Sequence, residues 1–194
     1  MDVSRTPPRT VEPRRAAPLV TATAAAMALG MFAFAVVNVV FEATGAFADR
    51  PDMAAGLAVM NWLVFGLKLL GVAVAVLSVT QLAMSVPSSV MTVLLWGAFA
   101  LLAIYSVGTV VKAIGMMTGL AGSPDQIDRA GILYLLGSVY FAVGFGVLAI
   151  SYSRRHGLHQ GGVLLGVLGA PALLAGLLVA VPALLTAAGL LPDS

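Results

Sequence analysis

The chain has 194 residues, of which 60% are hydrophobic and only 9% charged, and its mean hydropathy is +1.04. A soluble domain carries about 25% charged residues, so the solvent for most of this chain is a bilayer and an ordinary water-soluble enzyme is excluded. Cysteine is absent, which removes disulfides, thiolate nucleophiles and Cys-ligated metals, and the net charge of +2 informs only through where its charges lie.

The opening "MDVSRTPPRTVEPRRAAP" is rich in proline and arginine and has almost nothing to bury, so residues 1–17 read as a disordered basic tail that also anchors the first helix. The first apolar segment covers 18–43. A small-residue "AFA" at 46–48 resembles a signal-peptidase site, but the run before it exceeds the usual apolar region of about 7 to 15 residues and ends in Glu42. The segment is therefore expected to be retained as a membrane helix.

A helix needs about 20 predominantly apolar residues to cross the hydrocarbon core, and four further segments qualify, at 55–81, 89–117, 130–152 and 162–189. The linkers "TGAFADRPDM", "TQLAMSVPSS" and "TGLAGSPDQIDRAG" are too short to be domains. Pro87 and its serines mark a helix start, and Ser123 with Pro124 opens the longest turn, leaving Asp128 near the amino end of the fourth helix. In the last segment "APALLAGLL" and "VPALLTAAGLL" echo one another, and Pro171 and Pro182 predict two kinks.

The expected fold is all-α, a polytopic transmembrane bundle of five spans. Six of the eight arginines, Arg5, Arg9, Arg14, Arg15, Arg154 and Arg155, lie on the tail or after the fourth span, places that five crossings put on one side. Arg50 and Arg129 lie opposite, beside Asp49, Asp52, Asp125 and Asp128. By the positive-inside rule the amino terminus is cytoplasmic and the carboxyl terminus outside.

Catalytic signatures are missing: there is no phosphate-binding loop, nucleophile elbow or HExxH. "GFGVLA" at 144–149 matches a loose glycine-rich pattern without a preceding strand, so its glycines are read as permitting close helix contact. His156 and His159 share a turn that has no carboxylate nearby, which argues against a metal there. Neither metal nor cofactor is expected, and no basic face interleaved with aromatics supports nucleic-acid binding.

The membrane interior carries the remaining chemistry, since ionisable residues inside spans are functional candidates by default. Both lysines, Lys68 and Lys112, are in spans, and Glu42 ends the first. Helical spacing places Ala28, Met31, Ala35, Asn38 and Glu42 on one stripe of the first helix. Asn61, Val64, Lys68, Gly71, Ala75 and Ser78 share one on the second, and Ala98, Leu101, Tyr105, Gly108, Lys112 and Gly115 one on the third. Each polar residue shares its stripe with small ones, so the three faces are expected to meet inside.

At about 1.5 Å per residue, Asn38, Asn61 and Lys112 lie at similar depth, roughly 8 to 10 Å from the outer end, and predict an outer cluster with a Glu42–Lys112 ion pair. Lys68 lies about 20 Å down, with Tyr105 and Tyr140 as its nearest polar neighbours in depth. A central lysine costs about 2.5 to 3.5 kcal/mol, and the Leu, Val and Phe residues between 59 and 79 return roughly 4 to 7 kcal/mol, so the helix inserts with or without a partner for Lys68. Three roles stay open for that lysine: structural, lining a polar cavity, or reactive, a Schiff-base lysine included.

The glycine-rich fourth span "LYLLGSVYFAVGFGVLAISYSRR" and the tryptophan-led third, "LLWGAFALLAIYSVGTVVKAIG", resemble a small uncharacterised family of actinobacterial multi-helix membrane proteins, over about half the chain. A tryptophan-rich start to the fourth helix, which that family has, is missing here. The resemblance implies no activity, ligand or catalytic residue. The expected function is a non-enzymatic structural or accessory component of a bacterial cytoplasmic membrane. The alternative is a small transporter or channel whose interior runs from Glu42 and Lys112 to Lys68. Expected partners are the lipid bilayer and a second copy or another membrane protein.

Overall fold

The structure is a computed structural model that describes residues 16–46, 48, 54–80, 86–120, 122–123, 129–157 and 160–188. Most of the basic tail lies outside these residues, as do Arg50, the acidic residues of the loops, and His159. Among the described residues the chain is all helix and has no strand. The helices are α1 (Pro18–Ala43), α2 (Ala54–Leu77), α3 (Ser88–Met117), α4 (Arg129–His156) and α5. The last runs over Gln160–Leu164, through a π-helical turn Leu165–Gly169, and on over Ala170–Ala187. All five are long and apolar enough to cross a membrane.

Local chemistry sets the helix ends. At the Glu42 end of the bundle α1 and α3 both stop on Thr-Gly, with Gly45 at φ 64° and Gly119 at φ 74°. The following amide reaches back to the last turn in each, Ala46 N to Phe41 O at 3.0 Å and Leu120 N to Gly115 O at 2.8 Å. This reversal needs a left-handed residue, which glycine supplies without a Cβ clash. α2 stops at Leu77, short of the expected boundary, because the Ser78 hydroxyl donates to Ala75 O at 2.7 Å and the chain tightens into a turn. α4 continues through Arg154, Arg155 and His156, whose positive character suits a helix carboxyl end, and stops at Gly157, φ 84°.

The helices pack in the spatial order α2, α1, α4, α3, α5, with a slighter contact between α2 and α3. α4 is the central element. Its Phe145, Leu148, Ala149 and Tyr152 are buried against Met27 and Met31 of α1, Val74 and Ala75 of α2, and Met91 and Leu95 of α3. Gly144 belongs to this contact, since a Cβ there would stand 2.0 Å from Met27 Sδ. In the glycine-rich stretch at 144–149, then, α1 approaches α4 where side chains are missing.

Among the described residues α5 packs chiefly on α3, at Gly97, Gly166 and Ala170. Its one irregular turn lies just before Pro171, which has no amide to offer Val167 and whose ring would crowd that carbonyl in a regular helix. A wider π turn relieves both problems, so the irregularity expected of Pro171 takes this form. Around Pro182 the backbone is α-helical on both sides, and no second irregular turn accompanies it.

Candidate functional site

Asn38 and Asn61 face each other across the α1–α2 seam and are both buried. Asn38 Nδ2 donates to Asn61 Oδ1 at 2.7 Å and to Asn61 O at 3.2 Å, while Asn61 Nδ2 donates to Asn38 O at 2.9 Å. The second Asn61 amide proton reaches Glu42 Oε2 at 3.4 Å. On the other side, Lys68 Nζ donates to Phe34 O at 2.9 Å and also to Asn38 Oδ1, the acceptor that the asparagine pair leaves open. The ammonium lies 5.6 Å from the centre of the Phe34 ring, a cation–π distance.

The result is one continuous chain, Lys68–Asn38–Asn61–Glu42, in which both carboxamides use every donor and each amide oxygen has a donor of its own. It places a lysine amine and a carboxyl group at the two ends of an amide bridge between adjacent helices. In a medium without water, such a chain is satisfied only at one register of α1 against α2.

Residue spacing places Lys68 outside the polar cluster, whereas in the structure it lies inside. Helical rise gives the height of Cα atoms, and a helical side chain tilts away from that height toward its own amino terminus. α2 begins at the Glu42 end of the bundle, so the long Lys68 stem climbs toward Asn61 and covers much of the roughly 10 Å that separates their backbones. α1 runs the other way, and the Glu42 side chain tilts down to meet the network.

The third helix is corrected more deeply. Tyr105 is 55% exposed, Lys112 is exposed, and a Cβ on Gly108 would touch nothing within 4 Å, so the stripe faces out of the bundle from Tyr105 to Lys112, while Ala98 and Leu101 at its other end are partly buried and Ala98 packs against the core. The buried face of α3 is Met91, Thr92, Leu95, Gly97, Ala100 and Ser106. Lys112 makes no ion pair with Glu42; it is about 8 Å from the end of α3, near enough for its stem to carry the charge to the interface. On α2 Val64 also faces outward, at 37% exposure, and on α4 Tyr140 does so at 49%.

The inward polar residues that the sequence reading passed over are serines and a tryptophan. Ser106 Oγ donates to Ser138 Oγ at 2.9 Å between α3 and α4, and Trp96 Nε1 donates to Ser153 Oγ at 3.1 Å on the same seam. At the end opposite Glu42, Arg155 Nη2 donates to Ser78 O at 2.9 Å, fastening α4 to the carboxyl end of α2. The signal for these was present: Ser106 and Ser138 lie among apolar residues, where a serine must find a partner.

His156 stacks on Tyr152, with ring centroids 4.1 Å apart, and its Nδ1 lies 3.1 Å from Tyr152 O. Among the described residues no group of three His, Cys, Asp or Glu is placed to hold a metal. The one carboxylate among them, Glu42, is engaged with Asn61. Chemically the site can hold two helices in register and give a lysine amine and two carboxamides hydrogen-bond partners in the bundle interior. Compared with protein-family models, curated proteins and solved structures, the chain matches none.

Proposed function

We propose that this chain is a non-enzymatic structural or accessory component of a bacterial cytoplasmic membrane, inserted with its amino terminus in the cytoplasm and its carboxyl terminus outside. The supporting observation is how the interior polar groups are used. Lys68, Asn38 and Asn61 bond to one another and to backbone carbonyls across a helix seam, and the Ser106–Ser138 and Trp96–Ser153 pairs do the same on the next seam. A transport path needs polar groups that exchange partners with a passing solute, whereas these hold helices together. The arginine bias toward the tail and the α4–α5 turn supports the orientation.

The test is a flux assay. Proteoliposomes carrying the purified protein should leak protons and potassium no faster than empty vesicles, and Lys68→Met should leave that baseline unchanged. A flux that the wild type supports and Lys68→Met abolishes, with the melting temperature preserved, would replace this reading with a carrier or channel working through Lys68.

A further inference from the structure

A groove of about 390 Å³ lies between α1 and α4, lined by Thr23, Ala26 and Met27 on one side and by Tyr140, Val143, Gly144 and Val147 on the other. On its floor the Met27 thioether lies against Gly144, in the space that a Cβ there would take. The walls are largely apolar, with Val143 62% and Val147 41% exposed, and the Thr23 hydroxyl donates back to Leu19 O at 2.9 Å.

Arg154 stands on the same face of α4. Steps of three, four and seven residues from Tyr140 through Val143 and Val147 reach it, which at 3.6 residues per turn keeps all four on one stripe. It lies about 10 Å beyond Val147 along the helix, and it is exposed. Arg155 adds a second charge whose position is fixed, because its Nε donates to Ser151 O at 3.3 Å, its Nη2 to Ser78 O, and its guanidinium lies 5.8 Å from the Tyr152 ring. Among the described residues no carboxylate lies at this end of the bundle, since Glu42 is at the other.

A largely apolar slot on an exposed face of α1 and α4, followed about 10 Å along the same stripe by the exposed Arg154 with Arg155 next to it in sequence, has the charge order of an anionic glycerophospholipid, apolar chain first and phosphate after it. We infer that this face of α1 and α4 is a binding site for one anionic phospholipid, its phosphate at Arg154 beside the fixed charge of Arg155 and one acyl chain in the groove over Gly144. This goes beyond the structural role proposed above and rests only on the bundle lying in a membrane.

The test uses the full chain in detergent with dioleoyl phosphatidylglycerol or dioleoyl phosphatidylcholine, and native mass spectrometry to count retained lipid. One phosphatidylglycerol should be retained in preference to phosphatidylcholine by about fivefold or more, the ratio that about 1 kcal/mol from a single basic residue near the surface gives. Arg154→Gln should reduce the preference toward parity, and Arg154→Lys should keep most of it. Ala26→Trp, which fills the groove from its exposed side, should remove retention with the charges intact. The soluble headgroup glycerophosphoglycerol should fail to displace the lipid. A preference unchanged by Arg154→Gln, retention unchanged by Ala26→Trp, or displacement by the headgroup alone would overturn the assignment, and none of these outcomes bears on the flux assay.

Discussion

Asn38→Leu should be the most damaging single change in the α1–α2 seam, with an expected loss of about 2 to 4 kcal/mol in detergent unfolding. The substitution is nearly isosteric, so the cost is not packing. It takes the Oδ1 acceptor from Lys68 and both donors from Asn61, and so leaves a half-buried ammonium and a buried carboxamide short of partners. Lys68→Met alone should cost less than about 1 kcal/mol, because losing two hydrogen bonds is offset by no longer holding a charge in hydrocarbon. In the Lys68→Met background, Asn38→Leu should then cost roughly half of what it costs in the wild type. Simple additivity of the two losses would mean that Lys68 and Asn38 do not interact energetically.

Gly166→Val should detach much of α5 from α3. A Cβ at residue 166 would lie 2.8 Å from Val93 O, 2.9 Å from Trp96 Cβ and 3.1 Å from Gly97 N, and two of those three are backbone atoms that cannot swing aside. Overpacking of this kind costs about 1 to 3 kcal/mol, and here it falls on the helix against which α5 chiefly packs. The expected readout is faster proteolysis after residue 157 and a lower melting temperature. Gly176→Ala is the control: nothing lies within 4 Å of its added Cβ, and alanine is the better helix former by up to about 1 kcal/mol. Equal effects at the two glycines would show that α5 does not seat on α3 through Gly166.

The five spans were legible because a bilayer imposes a length and a composition that few other environments require. The inward faces of α1 and α2 were legible for a different reason. Asparagine is costly against lipid, so Asn38 and Asn61 mark the interior, and matching depths on antiparallel neighbours bring them together. α3 lacks so clear a marker. Tyrosine and a lysine near a helix end are amphipathic, content at an interface as well as inside, so Tyr105 and Lys112 did not identify a face. Ser106 did, but a serine hydroxyl can satisfy itself on its own helix, and Ser106 Oγ has Leu102 O within reach at 2.7 Å as an alternative acceptor to Ser138, so it passes for a lipid-facing residue in sequence.

Partnering of Lys68 was hidden by geometry rather than chemistry. Residue spacing gives the height of Cα atoms, and a lysine stem moves its amine by about a helical turn in a direction set by which way its helix runs in the bundle. The π turn before Pro171 was hidden because proline predicts only that a regular helix is disturbed, while the packing of Gly166 against Gly97 decides where the disturbance is absorbed.

The central claim is that the buried polar chain joins α1 to α2 and leaves α3 out of it. The protein has no native cysteine, so introduced pairs report without background. Mild oxidation of the Asn38→Cys, Asn61→Cys double variant in native membranes, followed by a mobility shift after cleavage between the helices, measures that contact directly. The account predicts efficient intramolecular cross-linking for this pair and none for Glu42→Cys with Lys112→Cys. Cross-linking of the second pair in preference to the first would contradict it.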